Sequence, residues 1–410
     1  MAVNLSTKTL DILRSNWTFF IFSICAGVIA LYWNIDGQFS DIRGFYGIHF
    51  LDKQNDWPLA YHQVDSKVGL TSPIEYPPLT ALIIWLFSFL AGSSDQPWLQ
   101  YFRITAIFNM LLLAFSTQYL MKLSGKKLAL LFLISPAVLY SLNRNWDIWA
   151  IFSMGIALFL FEKEKYKASS FWLSVSVATK FFPLILLIPI SIYFLRRGEK
   201  RQAISYGFSF VVFWVLLNLP FVLINFTGWI YFFKFNALRD VGSASIFEIL
   251  NLLGLVQSNQ KFLYYLLNLL MLIVLVFFLS KTKSVLKPSE AAFLTMFVFM
   301  FFNKQYSMQY VIWLTYLSIL TLSRINSKNI KYPMYFFICW QITEFLFQYI
   351  FFQNVLADLF ASYRGDPSGQ FKEAYAVMGL IRYSVISIFL ITLYSGLNRT
   401  KEPSERPSLD

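Results

Sequence analysis

Apolar segments of membrane-spanning length recur along the whole chain, and they constrain its fold more than any other feature. The 410-residue sequence is 57% hydrophobic and only 14% charged, whereas soluble domains carry about 25% charged residues. Crossing the roughly 30 Å of bilayer hydrocarbon takes a helix of about 20 residues. Because lipid offers no hydrogen-bond partners to the backbone, such segments must be helical. The sequence therefore predicts an all-α integral membrane protein.

The apolar segments define the expected helical bundle. They are 17–33, 78–92, 98–121, 127–142, 146–162, 167–182, 183–197, 201–225, 261–280, 286–303, 306–324, 330–351 and 375–396. The two cysteines, Cys25 and Cys339, both lie inside these segments, where we expect reduced core residues, and they give no information about the redox environment.

Charge predicts the side of the membrane for each connection, because Lys and Arg accumulate in cytoplasmic loops. The basic connections contain Lys122, Lys126 and Lys127; Lys163, Lys165 and Lys167; Arg196, Arg197, Lys200 and Arg201; Lys281, Lys283 and Lys287; and Arg324, Lys328 and Lys331. Loop 34–77 instead carries six acids against three bases, so we expect a large first extracytoplasmic loop. Loops 226–260 and 352–374 are expected on the same outer side.

These assignments predict one polytopic domain over residues 1–397 in the plasma membrane, with a cytoplasmic N-terminus and a cytoplasmic tail at 398–410. Three segments in 78–142 lie between two outer points, so 78–92 is interpreted as a short re-entrant or interfacial helix. The alternative is that the lysines near 122–127 break the charge rule. We expect about 12 transmembrane helices (roughly 11 to 13). The net charge of +12 is explained by the cytoplasmic loops, so no nucleic-acid partner is expected.

The polar clusters of the chain fall on the predicted outer side, at helix ends. They are loop 34–77, Asn143 to Asp147, Lys180 to Pro183, and Asn303 to Tyr306. A carboxylate such as Asp41 could act as a general base on a hydroxyl, and nearby Lys and Arg could hold a lipid-linked phosphate. A transporter or flippase of a lipid-linked or anionic substrate is the alternative, but its sites are expected near mid-span.

Five sequence blocks, in order, resemble one family of enzymes. They are Ser40-Asp41-Ile42-Arg43-Gly44-Phe45-Tyr46, Ile74-Glu75-Tyr76-Pro77-Pro78-Leu79, Asn143 to Asp147, Ala178 to Pro183, and Phe302 to Leu314. Together they resemble glycosyltransferases of the GT-C fold, particularly the GT87-like polyprenyl-phosphate-mannose-dependent mannosyltransferases. The chain departs from the family pattern in its long polar segment 50–72 and in Met308, where proline is common.

The resemblance implies a GT-C-like bundle and an inverting transfer outside the membrane. A hexose, expected to be mannose, would move from a polyprenyl-phosphate donor to a hydroxyl on a glycolipid or lipid-linked glycan. The family's base corresponds to Asp41, and Asp36 is the alternative. One carboxylate suffices in this interpretation, because the phosphate leaves without a strong acid, unlike the leaving group of inverting hydrolases.

The other candidates are polar residues expected to contact substrate or phosphate. They are Glu75, Tyr76, Arg144, Asp147, Lys180, Arg239, Lys304, Gln305 and Arg382. Structural roles are the alternatives: Glu75 complements a helix dipole, Tyr76 anchors at the interface, and Asp147 caps a helix with its asparagine neighbours. No cofactor is expected, and no metal, because His49 and His62 belong to no spaced ligand cluster.

Overall fold

The computed structural model describes residues 16–33, 40–42, 75–91, 95–239, 241–242, 244–256, 261–352 and 372–401. All regular elements in these ranges are helices, which confirms the predicted all-α class. They are α1 (Asn16–Trp33), α2 (Pro78–Leu90), α3 (Pro97–Ser124), α4 (Lys126–Ile134), α5 (Pro136–Ser141), α6 (Asp147–Glu162), α7 (Tyr166–Thr179), a 3-10 helix (Phe182–Leu186), α8 (Leu187–Arg196), α9 (Lys200–Ile224), α10 (Phe226–Leu238), α11 (Ile246–Leu252), α12 (Lys261–Lys281), α13 (Pro288–Phe301), α14 (Tyr310–Leu322), α15 (Lys331–Leu346), a π-helix (Phe347–Phe352) and α16 (Lys372–Lys401).

Proline and capping residues set several helix boundaries. Proline begins α2, α3, α5 and α13, as expected of a residue with no N–H to lose in the first turn. Pro136 thereby divides the predicted segment 127–142 into two helices. The predicted loop 226–260 contains α10 and α11, whose first turns are capped by the side chains of Asn225 and Ser245.

Four of the described helices are long and apolar enough to cross a membrane. They are Pro97–Ser124, Lys200–Ile224, Phe262–Lys281 and Ala374–Lys401. Helix α2 has 13 residues and is therefore only about 20 Å long, less than the thickness of the hydrocarbon. The count of about 12 crossings stays a prediction.

The chain forms two compact units. The first unit comprises Met1–Leu187 and Glu199–Asp240, and the second comprises Ile188–Gly198 and Val241–Asp410. In the first unit α1 packs on α3, α3 on α6, α6 on α7, and α7 on α9. In the second unit α13 packs on α14, and α16 packs on both α15 and α11.

Small hydroxyl side chains of α7 join the helices of the first unit. Ser176 Oγ donates to the carbonyl of Ala150 in α6 (2.7 Å), and Ser174 Oγ donates to that of Phe210 in α9 (2.9 Å). Serine allows a close approach of helix backbones and offers the interhelical hydrogen bonds that replace hydrophobic driving force in lipid. Helix α7 is thus held on both sides.

Helices α1 and α3 meet at Gly27. A Cβ atom built on Gly27 would overlap the side chain of Met110, so Gly27→Leu should destabilise the first unit by about 1–3 kcal/mol through overpacking. The measurement is the thermal unfolding midpoint in detergent. Gly207→Leu is the control, because a Cβ on Gly207 meets no atom within 4 Å. An equal loss of stability in both variants would contradict the close contact at Gly27.

Candidate active site

Asp41 is held in the first unit by backbone contacts with the turn between α5 and α6, residues 142–146. The N–H of Asp41 donates to the carbonyl of Arg144 (2.9 Å), and Ser40 Oγ donates to the carbonyl of Asn143 (2.6 Å). Ile42, the next residue, is fully buried in a cluster with Tyr76 and other apolar side chains. These contacts hold the backbone of Asp41 at a defined position beside the turn.

Tyr76 connects Asp41 to the start of α2. Its hydroxyl donates to Asp41 Oδ2 at 3.4 Å, and its ring packs edge-on against Trp146 with centroids 5.4 Å apart. Thr80, in the first turn of α2, donates to the carbonyl of Thr179 at 2.5 Å. Helix α2 is thereby held to the end of α7, one residue before Lys180.

Lys180 and Asp147 form an ion pair beside Tyr76. Asp147 begins α6 and Lys180 follows the last residue of α7, so the packing of these two helices brings the charges together. The Lys180 Nζ lies 2.6 Å from Asp147 Oδ1 and 4.8 Å from the centroid of the Tyr76 ring. Only 14% of the Lys180 side chain and 1% of the Asp147 side chain are exposed. The pair is therefore more weakly screened by water than a surface pair.

Two carboxyl groups share the field of the same cations. Solvent reaches Asp41, yet the surrounding protein desolvates the carboxylate and raises its pKa, against the lowering effects of Lys180 and Arg239. Burial also raises the pKa of Glu75 to about 7, while Arg239 and Lys180 oppose the rise. A solvent-accessible carboxylate whose pKa is raised toward the working pH can act as a general base.

Two arginines complete the group of charges. Arg144 is buried, with its guanidinium 4.6 Å from the centroid of the Tyr140 ring. Burial lowers the pKa of Arg144, and Tyr140 and Asp41 raise it. Arg239 follows α10 and is exposed. It acts on Asp41 through its charge.

The first unit thus brings together seven of the predicted site residues. They are Asp41, Glu75, Tyr76, Arg144, Asp147, Lys180 and Arg239. Asp36, the alternative base, lies outside the described residues, as do residues 43–74 of the first loop, which include both histidines. Among the described residues, no group of three His, Cys, Asp or Glu could hold a metal ion.

The remaining three predicted residues, Lys304, Gln305 and Arg382, lie in the second unit. The Lys304 Nζ lies 2.6 Å from the Tyr265 hydroxyl. The side chain of Gln305 lies against Gly242. These contacts attach the 303–306 segment to its neighbours within this unit.

Arg382 is surrounded by protein groups. Its Nη2 donates to the carbonyl of Ala244 (2.6 Å), and its Nη1 lies 3.4 Å from Glu344 Oε1. The guanidinium also lies 4.1 Å from the ring centroid of Phe347 and 4.6 Å from that of Tyr306. These contacts explain how the mid-span charge of Glu344 is paired, and they tie α16 to the segment before α11.

Two polar residues near the site, Thr80 and Asn109, were not predicted from the sequence. Thr80 attaches α2 to Thr179, the residue before Lys180. Asn109 lies in the middle of α3 and donates to carbonyl groups of the 142–146 turn. The sequence does contain a signal for Asn109, because polar side chains inside membrane-spanning helices are costly and commonly functional.

Breaking the Lys180–Asp147 pair should cost stability. Lys180→Met leaves the buried Asp147 carboxylate without this cation, which should destabilise the protein by about 3 kcal/mol. Replacing both residues, as Lys180→Met with Asp147→Leu, should recover part of that loss. The thermal midpoint in detergent measures both, with the exposed Lys165→Met as control. A double variant that is less stable than Lys180→Met would contradict a buried, mutually dependent pair.

Comparisons with known proteins place this geometry in context. No curated protein sequence matches the chain. Among solved structures, the chain is similar to ArnT from Cupriavidus metallidurans bound to undecaprenyl phosphate, with 14% sequence identity and a TM-score of 0.45. The similarity covers 91% of this chain and 77% of that one.

A family model supplies the identification. The model of glycosyltransferase family 87 matches residues 75–308, a range that covers more than half of the chain and contains Glu75, Arg144, Lys180 and Arg239. The chain therefore belongs to glycosyltransferase family 87 and is a membrane glycosyltransferase.

Proposed function

We propose that this glycosyltransferase transfers a hexose, mannose, from a polyprenyl-phosphate donor to a hydroxyl of a lipid-linked glycan or glycolipid. The reaction takes place at the extracytoplasmic face of the plasma membrane, with inversion at the anomeric carbon. One observation carries the proposal: Asp41, a solvent-accessible carboxylate, lies in the field of two cations, Lys180 and Arg239. A base and an anion-binding group are thus adjacent.

The proposed reaction is a single displacement. Asp41 accepts the proton of the acceptor hydroxyl while the hydroxyl oxygen forms a bond to the anomeric carbon. The bond between that carbon and the phosphate oxygen breaks, and its electron pair leaves with the polyprenyl phosphate. The phosphodiester monoanion thereby becomes a monoester dianion. Attack from the face opposite the leaving group inverts the anomeric carbon.

The electrostatics of the site suit both halves of this step. Desolvation by the surrounding protein raises the pKa of Asp41, and a base is more effective when its pKa lies nearer the working pH, provided that it remains ionised. Lys180 and Arg239 keep the ionised form accessible by lowering that pKa. The same cations would stabilise the charge that develops on the departing phosphate.

Lys180 can serve the phosphate while it remains paired with Asp147. An ammonium group has three N–H donors, and the ion pair at 2.6 Å uses one direction. Arg239 supplies a planar fork of donors that matches two phosphate oxygens. Because Lys180 and Arg239 can neutralise the negative charge of the phosphate, we propose that no divalent metal ion is required.

The choice of mannose and of the acceptor rests on the family resemblance and on the first loop. Segment 50–72 is longer and more polar than the family pattern. We propose that it selects the acceptor. The termini are proposed to lie in the cytoplasm, which leaves the site on the opposite side, where lipid-linked sugars are used.

Removal of the proposed base should abolish transfer. Asp41→Asn keeps the shape of the side chain but cannot accept the proton, so the rate should fall by about 10²–10⁴-fold. The assay uses the purified protein in proteoliposomes with radiolabelled polyprenyl-phosphate mannose and a membrane glycolipid extract, with and without EDTA. The exposed Asp95→Asn is the control and should retain full activity.

Each result of this assay decides one part of the proposal. Full activity of Asp41→Asn would exclude Asp41 as the base. Transfer from a nucleotide sugar, without transfer from the polyprenyl-phosphate sugar, would exclude the proposed donor class. Loss of wild-type activity in EDTA, restored by a divalent ion, would overturn the metal-free mechanism.

Neutralisation of Arg239 should shift the pH dependence. Arg239 lowers the pKa of Asp41 and of Glu75, so Arg239→Gln should raise both pKa values. The base is active when ionised, so the acid limb of the kcat/KM profile should move to higher pH, by about 0.5–1 unit. Lys234→Gln, an exposed change in α10, the helix that Arg239 follows, is the control. A shift to lower pH would contradict this electrostatic role.

A further inference from the structure

Asn109 is a buried amide in the middle of helix α3. It lies in α3 (Pro97–Ser124), one of the helices able to cross the membrane, and its side chain is fully buried. A buried amide without hydrogen bonds would cost several kcal/mol in such surroundings. Its hydrogen bonds therefore show what the residue does.

The Asn109 side chain forms hydrogen bonds with the 142–146 turn. Its Nδ2 lies 3.3 Å from the carbonyl of Leu142, 3.2 Å from that of Asn145 and 3.4 Å from Asn143 Oδ1. Its Oδ1 accepts from Trp149 Nε1 in α6 at 2.8 Å. The two N–H groups of one amide thus serve three acceptors on a single turn, and the carbonyl fixes how the amide is oriented.

The opposite side of this turn holds the proposed catalytic group. The carbonyl of Asn143 accepts from Ser40 Oγ at 2.6 Å, and the carbonyl of Arg144 accepts from the N–H of Asp41 at 2.9 Å. The Asn145 side chain accepts from the N–H of Asp147 at 3.0 Å. Every one of these contacts uses a residue of the turn that Asn109 supports.

We propose that Asn109 is a positioning residue for catalysis, which fixes Asp41 and the Lys180–Asp147 pair through the 142–146 turn without touching the substrate. The inference rests on the proposed role of Asp41 as the base. Displacement of a catalytic group by about 1 Å can cost 10²-fold in rate. A residue of this kind therefore acts on kcat more than on substrate affinity.

A relaxed turn should also change the titration of Asp41. The charged and titratable groups that interact with Asp41 are Lys180, Arg239, Arg144, Asp147, Glu75 and Tyr76, and desolvation is the largest influence on its pKa. When the turn loosens, water reaches the carboxylate more freely and desolvation decreases. The pKa of Asp41 then falls, which moves the acid limb of the pH profile to lower pH, opposite to the shift expected for Arg239→Gln.

The experiment compares two variants of α3. In each, an apolar side chain of similar shape replaces a buried polar one. Asn109→Leu removes the amide. Thr117→Val removes a buried hydroxyl that, among the described residues, bonds only the carbonyl of Leu113 within the same helix. For Asn109→Leu we expect kcat to fall by about 10–100-fold with KM changed by less than about 3-fold, and the acid limb to move to lower pH. Thr117→Val should change neither.

A second variant tests the same turn from the other side, in case Asn109→Leu folds poorly. Ser40→Ala removes the hydrogen bond to Asn143, and it should reproduce the fall in kcat and the direction of the pH shift. Since both residues act through one turn, the double variant should lose much less activity than the product of the two single effects.

The outcomes separate this inference from the proposed function. Unchanged kcat and pH profile per folded molecule in both single variants, with Asp41→Asn inactive, would overturn the positioning role alone. Effects that multiply in the double variant would overturn the shared turn. An active Asp41→Asn would instead overturn the assignment of the base on which the inference rests.

Discussion

The hydrogen bond from the N–H of Asp41 to the carbonyl of Arg144 is the contact on which the site depends. It joins a residue beyond the first helix to the turn between α5 and α6, and the hydroxyl of Ser40 reinforces it. Because backbone groups form this junction, it fixes where the chain runs and leaves the Asp41 carboxylate available. Tyr76 and Ile42 belong to one buried apolar cluster beside this hydrogen bond, and the Tyr76 hydroxyl donates to the Asp41 carboxylate.

The packing of α6 on α7 brings Lys180 to Asp147. Helices α6 and α7 are antiparallel neighbours, so the start of one and the end of the other meet at the same level. Asp147 and Lys180 occupy those two ends and form an ion pair. Lys180 and the exposed Arg239 both lower the pKa of Asp41 and of Glu75.

Much of the fold was predictable from the sequence, because a backbone surrounded by lipid must form its hydrogen bonds internally and few structures allow this. Apolar segments predicted helices, and prolines marked several of their first residues. The division of segment 127–142 at Pro136 and the two helices within 226–260 were not predicted, because hydropathy reports length and burial but not the local breaks. Family membership also replaces the transporter interpretation that the sequence left open.

The sequence by itself determined the all-α membrane class and the polar residues worth considering, since both follow from composition, charge and motif order. Only the tertiary structure decided how those residues are grouped. Lys180 pairs with Asp147 near Asp41, whereas Arg382 is enclosed by Glu344, Ala244 and aromatic rings of the second unit. In a sequence both cations look alike, as charges in apolar surroundings. The difference arises from which helices pack together, because contacts between residues far apart in the sequence determine which groups surround each buried charge.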